Sequence, residues 1–173
     1  IERSLQADAW SLDPAVAMLN HGSFGACPKV VLQRQQELRE QMEREPVRFF
    51  VRRLQPMLDA SRETLAGVIG ADPDDRVFVQ HATAAVNAVL RSLRFDSCDE
   101  ILVTDHDYNA CRNVLDFVAE RSGARVVVAS IPFPLDSAET VVDAVLDRVT
   151  PRTRLALIDH VTSQTGLVLP IER

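Results

Sequence analysis

The stretch 77–90, VFVQHATAAVNAVL, constrains the fold more than any other part of the chain. Val77, Phe78 and Val79 form a short apolar run of strand formers without helical spacing. Val86, Val89, Leu90 and Leu93 then recur at the spacing of one helix face. The change of period falls within His81, Ala82 and Thr83, so the sequence predicts a strand at 77–79 that turns tightly into a helix at 84–94. Such a turn points the first unpaired N–H groups of the helix past the carboxyl end of the strand. Those donors, with the positive end of the helix dipole, suit a phosphate. Thr83 either caps the helix or offers its hydroxyl to an anion. Ala82, Ala84 and Ala85 are small enough to let an anion approach.

The alternation continues to the end of the chain. Strands are predicted at 101–103, 125–129 and 155–158. A helix between the first two of these would bury Cys111, Val114, Leu115 and Val118 and close at Gly123. Another would open with a capping box from Asp136 to Glu139 and carry Val141, Val142, Val145, Leu146 and Val149. Strands alternating with helices of this length predict right-handed βαβ units, and so an α/β fold with a parallel sheet covered on both faces.

Upstream the pattern differs. Residues 16–19 are either a short strand or the end of a turn begun at Asp13-Pro14. LNHGSFGACP, 19–28, is too rich in Gly, Asn and Ser to be regular structure, so Asn20 and His21 lie on a loop, either as binding residues or in a plain surface turn. Pro28 suits the first turn of a helix reaching Glu45, whose narrow stripe of Val31, Leu38 and Met42 faces a second subunit or its own domain. A second helix carries Leu54, Leu58, Leu65, Val68 and Ile69 and ends at Gly70. Three segments result: an arm and loop at 1–27, a helical segment at 28–70 and the α/β part at 71–173.

Several function classes are excluded on the residues. A net charge of −6 with no basic run argues against nucleic-acid binding. No apolar stretch approaches the roughly 18 residues of a membrane span, and no signal peptide opens the chain. Cys27, Cys98 and Cys111 show no CxxC spacing, so neither a disulfide framework nor a zinc site is indicated, and a cytoplasmic setting fits. Asp105, His106 and Asp107 are adjacent, which disfavours their converging on one metal ion. No G-x-S-x-G elbow marks a serine nucleophile. His160 is expected to be a satisfied core histidine.

In open α/β sheets ligands bind beyond the carboxyl ends of the strands. Three predicted strands end in polar clusters, HAT, TDHDYN and DHVTSQ, whereas the strand at 125–129 runs into the apolar Ile131-Pro132-Phe133. Convergence of the three would make a site for a small phosphorylated molecule. Tyr108 would stack on its ring, and Thr162, Ser163 and Gln164 would bond its polar groups. The other reading of Tyr108 is ordinary packing with its hydroxyl bonded.

HATAAVNAVL, TDHDYNACRNVL and LIDHVTSQTGLVLPI, in that order and spacing, resemble the large domain of class V aminotransferase-like enzymes, which are pyridoxal 5'-phosphate (PLP) proteins of fold type I. LNHGSFGACP is most similar to the isopenicillin N epimerase-like branch, with cysteine desulfurases and sulfur lyases as relatives. The resemblance covers 19–173. It implies pyridoxal 5'-phosphate as cofactor, with Ala82 and Thr83 as the phosphate turn and Tyr108, with its neighbour Asn109, at the pyridine ring. It also implies Ser163 near the phenolic oxygen and Asn20 and His21 at the substrate end.

The family's Schiff-base lysine, and the aspartate that pairs with the pyridine nitrogen, come from later strands. Lys29, the single lysine among eighteen arginines, precedes the whole sheet and does not take that place. The resemblance therefore implies no catalytic residue within this chain, which would be about the first half of an enzyme. A complementary C-terminal chain or segment would carry the lysine, in a homodimer or heteromer acting on an amino-acid substrate. Epimerisation, C–S cleavage and transamination all remain open. The alternative is a non-enzymatic phosphate- or nucleotide-binding module, or a structural half that completes a partner.

Overall fold

The computed structural model describes residues 6–22 and 24–172. The chain divides into two compact units, Ile1–Phe78 and Val79–Arg173, each described by itself.

The first unit is helical. Val16 donates its N–H to the Asp13 carbonyl at 3.1 Å, so the residues after Pro14 form a turn and not a strand. Helix α1 (Lys29–Arg44) starts after Pro28, whose extended backbone (φ −60°, ψ 144°) sets up the first turn. One short turn, α2 (Pro46–Arg48), leads through a wide turn at Phe49–Arg53 into α3 (Leu54–Ile69). Phe49 is buried and meets Phe50 edge-on at 5.5 Å between ring centroids. Gly70, at φ 66°, ends α3 in the left-handed conformation that glycine adopts without steric cost.

The second unit is α/β. Its strands are β1 (Glu100–Thr104), β2 (Arg125–Ala129) and β3 (Thr153–Leu157), all parallel, in the order β2-β1-β3. β1 is buried along its whole length because it is central: Ile101, Leu102 and Val103 form its apolar middle, and the polar end residues Glu100 and Thr104 are buried as well. Helices α4 (Ala82–Ser92) and α5 (Asn109–Ser122) supply Leu90, Leu115 and Ala119 to a core that packs on Ile101, Val103 and Phe95. A second cluster joins Ile131, Leu169 and Val141 of α6 (Ala138–Leu146). At the amino end of β1, buried Glu100 accepts from Arg125 (2.6 Å), Arg152 (2.6 Å) and the Thr150 hydroxyl (2.7 Å), tying together the starts of all three strands. Among the described residues no helix is long and apolar enough to cross a membrane.

The structure corrects three local expectations. Residues 77–79 form no strand among the described residues, and Val77 is 83% exposed. An apolar β-branched run becomes a strand only with a neighbour to complete its ladder, and among the described residues no strand pairs with 77–79. Helix α4 begins at Ala82, two residues earlier than its apolar spacing suggests, because His81 caps it. The cap of α6 is Ser137, whose hydroxyl accepts the Thr140 N–H at 3.2 Å, and not Asp136.

Candidate active site

The carboxyl end of β1 is shaped by two aspartates. Asp107 folds back on the last residue of the strand, accepting the Thr104 hydroxyl at 2.8 Å and the Thr104 N–H at 3.2 Å. It is 7% exposed, and burial pushes its carboxyl up to about 6. The Thr104 hydrogen bonds oppose that rise, and the nearby Asp159 charge adds to it. Asp105 reaches sideways to the end of β2, accepting from the Ser130 hydroxyl (2.6 Å) and the Ile131 N–H (2.9 Å). Burial alone would raise its pKa, but these bonds outweigh it and hold the group below the usual range.

Contacts at Tyr108 and Asp107 help bind the tip of β3 to the tip of β1. Asp159 accepts the Tyr108 N–H at 3.1 Å, and the Gln164 amide donates to the Asp107 carbonyl at 2.8 Å. Tyr108 is thereby fixed at the start of α5 as a residue 45% exposed, and Asn109 opens the helix beside it. Ser163 sits on an exposed turn, pinned where Thr162 accepts the Gly166 N–H through its carbonyl (3.0 Å) and the Leu167 N–H through its hydroxyl (2.9 Å). Gly166, at φ 66°, makes the reversal possible.

At the start of α4 the His81 ring nitrogen Nδ1 accepts the Ala84 N–H at 3.2 Å. The His81 carbonyl takes the N–H groups of Ala84 and Ala85. The N–H groups of Ala82 and Thr83 therefore have no acceptor among the described residues, and the small Ala82 side chain leaves them open. Thr83 is not the cap. Its hydroxyl lies beside the Cys111 thiol on α5, whose pKa is raised chiefly by burial and further by the charge of Asp159. Through Cys111 the α4 terminus belongs to the same neighbourhood as Asp107, Asp159 and Tyr108.

Ala82, Thr83, Tyr108, Asn109 and Ser163 thus all lie in the second unit, at helix starts or on the turn beyond β3. Two polar residues read as ligand contacts make hydrogen bonds within the protein. Thr162 is 2% exposed and braces its own turn, while Gln164 holds the Asp107 carbonyl. His160 is exposed and not a core histidine. Asn20 and His21 belong to the first unit. There the Asn20 side-chain oxygen accepts the Gly22 N–H at 2.9 Å, and the His21 ring tilts against Trp10 at 6.0 Å. Asp159 was missed from the sequence, although a short carboxylate just past a strand end is a group that commonly bonds a neighbouring helix start.

The family described as Aminotransferase class-V matches residues 20–173. The chain belongs to this family. Within it, isopenicillin N epimerase of Amycolatopsis lactamdurans is 42% identical over 166 residues, covering 94% of this chain and 42% of that protein. A probable chloroplastic L-cysteine desulfhydrase of Arabidopsis thaliana is 35% identical over 174 residues, covering 92% of this chain and 37% of that protein. The chain thus spans about two fifths of the length of these class-V relatives. Among solved structures, a C-DES mutant with glycine covalently linked to its PLP cofactor superposes with a TM-score of 0.73 at 24% identity. It covers 84% of this chain and 38% of that one, and the likeness establishes the shared fold.

Proposed function

We propose that this chain forms the phosphate- and ring-holding part of a PLP-dependent class-V enzyme acting on an amino acid. The observation that carries the reading is the pair of N–H groups at Ala82 and Thr83 that have no acceptor among the described residues, opening an 11-residue helix whose Thr83 hydroxyl meets Cys111 of α5. Two open donors at the positive end of a helix suit a dianionic phosphate, so the residues present fit the cofactor. The Thr83 hydroxyl, next to Cys111, would add a further donor.

Tyr108 would lie against the pyridine ring with Asn109 at its edge, and Ser163 would face the phenolic oxygen. Asn20 and His21 would contact the amino-acid substrate. When bound, the cofactor supplies an electron-withdrawing ring that labilises bonds at Cα or Cβ of an amino acid. The protein's task is to hold that ring in one orientation and to exclude alternatives. Epimerisation and C–S cleavage are the two reactions favoured by the names of the relatives.

The lysine that anchors the cofactor covalently, and the carboxylate that pairs with its ring nitrogen, would come from beyond residue 173 or from a complementary chain. The segments 1–27, 28–70 and 71–173 would then act as arm, helical segment and cofactor-binding layer of a homodimer or heteromer. The free state of Cys27, Cys98 and Cys111 supports a reducing, cytoplasmic setting.

Titrating pyridoxal phosphate into the full-length protein tests this reading. A visible band that borohydride bleaches, weakened in Thr83→Ala and shifted in Tyr108→Ala, is the expected result. Absence of any such band would favour a phosphate- or nucleotide-binding module without enzymatic chemistry.

A further inference from the structure

Resting on that reading, we infer that His106 is a positioning residue, holding the turn that carries Ser163 in register with the strand tip that carries Tyr108. Its ring is nearly buried, 11% exposed, and both nitrogens are in use. Nε2 lies 2.9 Å from the Ile131 carbonyl, just past β2. A carbonyl only accepts, so Nε2 carries the hydrogen. In the neutral ring Nδ1 is then an acceptor, and the Thr165 hydroxyl, 2.9 Å away, donates to it.

That assignment propagates. With the Thr165 proton directed at His106, the Thr162 hydroxyl at 2.8 Å donates to Thr165. The Thr162 oxygen in turn accepts the Leu167 N–H. A directional chain runs Thr162 to Thr165 to His106 to Ile131, joining the ends of all three strands, and Ser163 lies between its two threonines. The Phe133 ring, 6.4 Å away and tilted, packs on the imidazole. Among the described residues His106 bonds to no charged group, and its nearest carboxylate oxygen, on Asp105, is 3.7 Å off.

The two nitrogens can be separated by substitution. His106→Asn places an acceptor near the Nδ1 position and keeps the Thr165 arm. His106→Gln places a donor near the Nε2 position and keeps only the Ile131 arm. Thr165→Val removes the hydroxyl at nearly constant shape.

In the full-length protein, two readouts are taken on each variant: pyridoxal phosphate affinity from the visible spectrum, and amide hydrogen exchange in the cofactor-free form. His106→Gln and Thr165→Val should weaken cofactor binding about five- to tenfold, the scale of one lost buried hydrogen bond. They should also speed exchange at Gly166 and Leu167 while leaving Leu102 and Val103 protected. His106→Asn should restore both readouts. Equal losses in all three variants that track global stability, or wild-type exchange at Gly166 and Leu167 throughout, would overturn the inference. If the wild-type protein binds no pyridoxal phosphate, the functional reading fails, and the exchange data still decide whether His106 holds the turn.

Discussion

The carboxylate of Asp159, two residues past the end of β3, accepts the backbone N–H of Tyr108 at 3.1 Å, where α5 begins. One side chain thereby sets both the start of a helix and the placement of the residue read as the ring-stacking group. A carboxylate at this position also meets the positive end of the α5 dipole.

Asp159→Ala should destabilise the protein by about 1 kcal/mol, because it leaves that N–H without its partner. Asp159→Asn, which keeps an acceptor, should lose less. Removing the Asp159 charge should also lower the pKa of Asp107, since the two carboxylates repel. Urea unfolding measures the first effect, and carboxyl chemical shifts followed against pH measure the second.

Asp107 makes stability depend on pH in an unusual direction. Its carboxyl titrates at about 6 in the folded protein, against a usual value of 3.8. Between those values the folded state holds a proton that the unfolded chain has released, so this group's contribution improves as pH falls from 7 to 5. Asp107→Asn should remove that trend. Denaturant midpoints for both proteins at pH 7 and pH 5 check it, and a wild-type midpoint that moves no differently from the variant's would contradict it.

Glu100 acts oppositely. The Thr150 hydroxyl first, then Arg125 and the charge of Arg152, hold its carboxyl below the ordinary range. Its stabilising contribution is therefore present at neutral pH and lost as the solution is acidified through that lowered value. Glu100→Gln should be less stable than wild type at pH 7, with the difference shrinking in strong acid. Thermal melts across an acid series provide the measurement.

His81 and Thr83 are adjacent and should behave differently. His81→Ala removes the α4 cap and should cost about 1 kcal/mol of stability. Thr83→Ala removes no cap, so its stability loss should be smaller, while its retention of pyridoxal phosphate falls. Melting temperatures and cofactor titrations on the two variants separate the roles.

Much of this arrangement was legible in the sequence. The strand at Arg125–Ala129 begins and ends where the Val-rich run does, and the helix ends at Gly70 and Gly123 follow from their positive φ of 66° and 77°. Other features depend on neighbours that a local pattern does not reveal. Val77, Phe78 and Val79 have strand propensity but no ladder among the described residues. Ser137 and Asp136 are both good caps, and only the backbone geometry chooses between them. The uses of Thr162 and Gln164 were hidden for a similar reason. A polar residue at a strand end looks alike whether it bonds a ligand or, as Gln164 does, a carbonyl 57 positions away.

The most direct measurement is a crystal structure of the full-length protein loaded with pyridoxal phosphate. The expected result is a phosphate within hydrogen-bonding distance of the Ala82 and Thr83 N–H groups, with the pyridine ring against Tyr108 and its phenolic oxygen near Ser163. A phosphate held by another part of the protein, with those two N–H groups bonded to water or protein, would contradict the proposed site.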